Sequence, residues 1–251
     1  MITNPPSWGQ TLAETAPIAL KGEPKRILLM LPGTAFSGGV KAVEMIAEQI
    51  AAAHRQMPLE IVVIVGGGNY CPKSTLETDG VDVVTAERMA MLAAAINGVL
   101  LNKLLQNRGI EAHLMPATEM RDLGPTYSIE LATSRLSEGR VVILAGGIGP
   151  YISTAFTAVK RALEIGARYI LFGQAMSPDD GQVGYNEALL MADPPLDPTA
   201  VVLMRENDLI GFVFDIRPSA AVLGALKGEG TIGTMITSDL PDAPGAIEMF
   251  D

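Results

Sequence analysis

Short, almost uniformly apolar runs alternate with amphipathic stretches along most of the chain. Lys25–Leu31 (KRILLML) and Leu59–Val65 (LEIVVIV) have the composition of strands buried on both faces of a parallel sheet. Glu111–Met115, Arg140–Leu144 (RVVIL), Tyr169–Phe172, Gly211–Ile216 and Gly233–Thr237 repeat the pattern at shorter length. Between them lie helical periodicities. Val40–His54 places Val43, Ile46, Ala47 and Ile50 on one face. Thr85–Arg108 does the same with Met89, Leu92, Ile96, Leu100 and Leu104, and Gly109 ends it. Further helices are predicted over Ile129–Glu138, Thr154–Ile165 with Gly166 as its stop, Asn186–Ala192, Pro198–Glu206 and Ser219–Lys227.

Alternating strands and helices predict an α/β fold, a three-layer αβα sandwich around a mainly parallel sheet. One domain is expected over residues 25–238. Residues 1–24 read as an irregular arm, because Pro5, Pro6, Pro17 and Pro24 disfavour a long helix and Trp8 is its one large anchor. Residues 239–251 read as a loose tail. Ser177–Gly184 (SPDDGQVG) is expected to be a turn-rich loop, with Asp179 and Asp180 as turn formers.

Composition narrows the function classes. Hydrophobic residues make up 48% and the formal net charge is −10. An acidic chain repels nucleic-acid phosphates, so nucleic acid is not an expected partner. No uninterrupted apolar run approaches the ~20 residues of a spanning helix, so no membrane is expected either. The surplus apolar residues are assigned to a sheet buried on both faces or to a subunit interface. One cysteine, Cys71, and two histidines, His54 and His113, argue against disulfides and a zinc site and fit a reducing cytoplasm.

Candidate chemistry gathers at glycine-rich turns directly after strands: Pro32-Gly33, Gly66-Gly67-Gly68-Asn69 and Ala145–Gly149. Ligands of open parallel sheets bind beyond the carboxyl ends of the strands. Turns without side chains expose backbone N–H groups there, and a following helix adds its positive end, so the pattern points to a small anionic ligand. None of the turns is a P-loop, because no Gly-Lys-Ser/Thr follows.

In this order, KRILLMLPG, IVVIVGGGN, ERMAMLAAAINGVLLNKLL, RVVILAGGIG and GEGTIGTMITS resemble the uridylate kinase branch of the amino acid kinase family, from Lys25 to Ser238. The resemblance implies an αβα sandwich, a homohexamer, and transfer of the ATP γ-phosphoryl group to UMP with magnesium. It also implies ligand contacts from Gly33, Gly66, Gly67, Gly68, Asn69, Glu87, Gly147, Gly149 and Thr154, with Lys73 in place of the family's arginine after GGGN. Elsewhere this chain departs from the family pattern. Met30 stands where the family has a lysine, Pro32 where it has a small residue, Ile148 and Pro150 where it has a threonine and an asparagine, and Phe156 where it has an aspartate. Phe172–Met176 lacks the family's lysines, and the long loop before Tyr185 is shortened. Such transfer rests on positioning and charge neutralisation. The expectation is therefore a catalytically degenerate relative that binds a nucleotide or another oxyanion, or serves as a structural or regulatory subunit, alone or co-assembled with a related chain. The alternative is an active nucleoside monophosphate kinase in which Lys73, Lys160 or Arg161 replaces the missing cations. A weaker alternative is storage of an inorganic oxyanion in a closed oligomer.

Overall fold

The computed structural model describes residues 25–176, 178, 181–228 and 231–238. The expected arm with Trp8, the expected tail, and Asp179 and Asp180 lie outside them. The strands are β1 (Lys25–Leu31), β2 (Leu59–Val65), β3 (Ala112–Pro116), β4 (Val141–Ala145), β5 (Tyr169–Gln174), β6 (Gly181–Gly184), β7 (Ile210–Asp215) and β8 (Gly233–Thr237). They form one sheet in the order β3-β4-β2-β1-β5-β7-β8-β6. The pairings are parallel except β7 with β8, which is antiparallel.

Pleating sends alternate residues into two separate helical layers. Ile27, Leu29 and Leu31 join Ile61, Val63 and Val65 in one core. That core is covered by α1 (Gly39–Gln56), α3 (Val83–Gln106) and α8 (Ala221–Lys227). Leu28 and Met30 join Val62 and Ile64 in the other. Its cover is α4 (Ile129–Ser137), α5 (Thr154–Ile165), α6 (Tyr185–Leu190) and α7 (Pro198–Arg205). Each fully buried aliphatic side chain is worth about 1.5–3 kcal/mol, so the continuously apolar strands hold the sandwich together from both sides.

The structure differs from the sequence reading in four places. First, Gly181–Gly184, expected within a loop, is the edge strand β6, in parallel register with β8 from Gly181↔Thr234 to Gly184↔Thr237. Its two glycines and four-residue length hide the strand signal, and burial of Val183 decides it. Second, Lys73–Thr78 forms a short helix, α2, and Gly33–Phe36 a 3-10 turn. Third, α3 begins two residues early because the Asp82 carboxylate accepts from Thr85 N at 3.0 Å and from Thr85 Oγ1 at 2.6 Å. Fourth, the face that α3 turns inward shares only Leu104 and the half-buried Leu100 with the expected one. Ala86, Ala93, Ala94, Asn97, Leu101, Leu104 and Leu105 are buried, while Met89, Leu92, Ile96 and Val99 form an exposed stripe. The small buried residues let the helix approach the sheet closely. With apolar residues on both faces, α3 is also long and apolar enough to cross a membrane by length and composition, with a mean hydropathy of 1.4. The sequence reading found no such run.

Candidate functional site

Strands β4, β2, β1 and β5 are neighbours, so the three glycine turns emerge side by side on one edge of the sheet. The first two touch. Gly66 N donates to Leu31 O at 2.9 Å. A Cβ on Gly33 would lie 2.1 Å from Gly68 N and 2.7 Å from Asn69 N, and one on Gly66 would lie 2.9 Å from Gly33 N. Glycine is therefore required by close approach of backbone to backbone. Gly67 in turn rests on α3, where a Cβ would meet Ala90 O at 2.1 Å and Ala94 N at 2.7 Å. The third turn leans on the same helix one residue further along, with Gly146 (φ +93°) beside Met91 and Ala117. In contrast, Gly68, Gly147 and Gly149 face open space. The arrangement leaves three side-chain-free positions uncovered along this edge.

One residue that organises the site escaped the sequence reading. Asn97, in the middle of α3, is 1% exposed. Its Nδ2 donates to Gly66 O at 2.7 Å and to Asn69 Oδ1 at 2.8 Å, and its Oδ1 accepts from Asn69 Nδ2 at 3.2 Å. The side chain thus ties the GGGN turn to the helix behind it. A polar residue at an inward position of an apolar helix is the only signal the sequence carries for this role.

The remaining candidates separate. Glu87 is half-buried on the first turns of α3, and Thr154 is exposed at the first position of α5, which Ser153 caps through Phe156 N at 2.9 Å. Ser153 also bonds Asp197, the cap of α7. Burial works to raise the Asp197 pKa, but bonds from Ser153 and Thr199 outweigh it and hold it below the ordinary value. Lys73 opens α2, and its side chain lies outside the described ones. Arg88 is exposed, and Arg121 pairs with Glu119 at 2.6 Å on the surface. Lys160 and Arg161 do not reach toward the turns as free charges. Both bind Glu164, Arg161 at 2.6 Å, and Arg161 also covers the Tyr127 ring at 3.9 Å from its centre. Burial opposes ionisation of Glu164, yet bonds from Lys160, Arg161 and Tyr127 prevail and lower its pKa. Tyr127 is pushed above its ordinary value, first by burial and then by the Glu164 carboxylate.

Two of the substituted positions are filled by packing. Met30 is buried in the second core, and Phe156 packs against that core from α5. Toward β5, β7 and β8 the edge opens into a cavity of about 400 Å³, lined in part by Asp215, Ser219, Ala220, Ala221, Thr231 and Ile232. A cleft of about 170 Å³ between the start of α1 and the end of β7 is lined by Thr34, Gly38, Ala175, Arg217 and Ser219 and, from α1, by Ala42, Met45, Ile46 and Gln49. Among the described residues no group of three histidine, cysteine or carboxylate side chains could hold a metal ion. Magnesium commonly arrives on substrate phosphates and asks for only one or two carboxylates. Asp215, at the end of β7, lines the larger cavity, but both of its carboxylate oxygens accept from Arg217.

Known proteins resemble this arrangement along most of the chain. A sequence profile of the amino acid kinase family matches residues 25–175. A uridylate kinase of Streptomyces avermitilis is 34% identical over 232 residues, covering 84% of this chain and 91% of that protein. One from Paenarthrobacter aurescens is 33% identical, covering 89% and 99%. Among solved structures, UMP kinase from Ureaplasma parvum superposes with a TM-score of 0.80 at 23% identity, covering 86% of this chain and all of that one. UMP kinase from Bacillus anthracis superposes at 0.77 and 24% identity.

Proposed function

This chain belongs to the amino acid kinase family, in its uridylate kinase branch, and from that premise we propose that it binds UMP at the GGGN turn and transfers the ATP γ-phosphoryl group to it. One observation carries this reading. The first and second glycine turns interlock on the edge of the sheet, braced from behind by Asn97, beside a third turn open to solvent. Such a frame holds two phosphates near each other through backbone donors, and phosphoryl transfer is chiefly a matter of positioning and charge. Nearly full-length similarity to proteins named uridylate kinase supports the same reading. Gly66–Asn69 and Gly33 hold the transferring and acceptor phosphates, Gly147, Gly149 and Thr154 border the acceptor, and Glu87 takes its ribose. Magnesium, when bound with the donor, supplies charge neutralisation.

A second reading rests on a specific observation of its own. Met30, Phe156 and Ala175 put apolar side chains where the family resemblance leads one to look for a lysine, an aspartate and a lysine. On this reading the chain keeps the nucleotide site and has lost the transfer. A coupled ADP-release assay with UMP and other nucleoside monophosphates separates the two. Turnover that disappears in Gly67→Ala supports the kinase. UMP-induced thermal stabilisation without ADP release supports the binding protein. Self-association into a hexamer in the cytoplasm belongs to either reading and is favoured by the exposed Met89–Leu92–Ile96–Val99 stripe. Equilibrium sedimentation tests the assembly.

A further inference from the structure

The sequence reading placed the missing donor-side positive charge on Lys73, Lys160 or Arg161, and the structure gives another residue that position. Arg217 follows β7 and lines the cleft that also contains Thr34, next to Gly33 of the first turn, and Ala175, next to the end of β5. Among the described residues it is the only lysine or arginine lining either this cleft or the adjoining 400 Å³ cavity. The two spaces share Pro218 and Ser219 in their linings, so they adjoin. The larger one offers Ala220, Ala221 and Ile232 to a flat apolar group and Ser219 and Thr231 to its polar edge. A nucleoside lying there would place its phosphates at the smaller cleft, beside Thr34 and Arg217.

The guanidinium is already fixed in place. Its Nε donates to Asp215 Oδ1 at 2.8 Å and Oδ2 at 3.0 Å, and its Nη2 to Oδ2 at 2.6 Å. Arg217 N donates to Asp215 Oδ1 at 3.0 Å as well, so backbone and side chain clasp one carboxylate. The Asp215 side chain is 17% exposed and that of Arg217 56%. The carboxylate is thus the recessed anchor and the arginine the part presented to solvent. A planar fork oriented by a carboxylate loses little further freedom when it meets a phosphate. A polyphosphate, with several charges against the single charge of Asp215, competes effectively for its donors.

We infer that Arg217 is the donor-binding cation of this protein, oriented by Asp215 to contact the phosphates of a nucleoside triphosphate in the cleft beside the first glycine turn. The assignment rests on the kinase reading above and names the residue that discriminates a triphosphate from a monophosphate.

Calorimetric titration of the full chain with ATP, adenosine and UMP tests it, using Arg217→Gln, Arg217→Lys and the wild type. Loss of one charge-assisted phosphate contact is expected to weaken ATP about tenfold or more. Adenosine and UMP affinities should stay within about twofold, and Arg217→Lys should recover part of the ATP affinity. Because the side chain is exposed, the thermal midpoint of the unliganded Gln variant should match the wild type. If Arg217→Gln binds ATP as the wild type does, the assignment is wrong while the kinase reading stands. If the wild type binds UMP but neither binds ATP nor releases ADP, the kinase reading fails and takes this assignment with it.

Discussion

Asn97 is the residue whose removal most directly tests whether the GGGN turn is held in place from behind. Replacing it with alanine deletes two donor contacts of 2.7 and 2.8 Å and the weaker reciprocal one of 3.2 Å. At about 1 kcal/mol net for each short bond, the contacts account for about 2 kcal/mol. The Gly66 carbonyl loses its amide donor, and the small void left between α3 and the GGGN turn adds to the loss. We expect a total of about 2–3 kcal/mol. For a chain of this length each kcal/mol moves the thermal midpoint by about 2–4 °C, so Asn97→Ala should melt about 4–12 °C lower. UMP affinity should fall as well, because the turn no longer presents its N–H groups in one arrangement. Asn97→Asp keeps the shape but replaces the donor to Gly66 O with an oxygen, and should be at least as destabilised. Scanning calorimetry with and without UMP measures both effects. A midpoint within about 1 °C of wild type together with unchanged UMP affinity would show that the turn holds itself and that Asn97 only fills space.

Three further outcomes follow from the packing and the charges. Gly67→Ala drives a methyl group into Ala90 O and Ala94 N and should cost about 2 kcal/mol or more along with UMP binding, whereas Gly68→Ala, with nothing within 4 Å, should leave stability nearly unchanged; urea titration compares them. His113 has a depressed pKa, first through burial and then through Arg140 and Arg135, against weaker opposition from Glu138 and Glu111. The folded state therefore favours the neutral ring, which accepts from Arg140 Nη1 at 2.7 Å. This contribution is intact above pH 6.5 and declines as pH falls below it toward the lower folded value, so His113→Gln should flatten the stability profile in that window when urea midpoints are measured from pH 8 to 5. Leu92→Asp and Ile96→Asp, on the exposed stripe of α3, should lower the assembly state in sedimentation and leave the secondary structure unaltered in circular dichroism.

The apolar runs of β1 and β2 were legible to the residue, since a strand buried on both sides needs nothing but continuous hydrophobicity. Gly166 marked the end of α5 because its left-handed φ of +72° suits no other residue so well. The inward face of α3 was not legible. Alanines and an asparagine pack against the sheet while larger Leu92 and Ile96 stay outside, because closeness of approach, not side-chain size, decides which face a helix buries. β6 was hidden for a related reason: its partner β8 is distant in sequence, and two of its four residues are glycine. In the site, the glycine turns announced themselves, while the roles of Asn97, Arg161 and Arg217 depend on partners that no local pattern reveals.

Charge at the glycine-turn edge is largely compensated. Three of the cations near it already have carboxylate partners: Arg161 and Lys160 share Glu164, and Arg217 is clasped by Asp215. With a net charge of −10, the protein exerts no long-range attraction on an anion. A monophosphate must therefore be held mainly by the N–H groups of the turns, a short-range interaction with weak salt dependence. A triphosphate must also draw on Arg217, which sits at the surface where screening is strong. Raising ionic strength from 0.05 to 0.5 M should thus weaken ATP much more than UMP, and Arg217→Gln should remove most of that difference. Equal salt dependence for both ligands in the wild type would mean that the phosphates meet a cation elsewhere, and would shift attention to Lys73 at the start of α2.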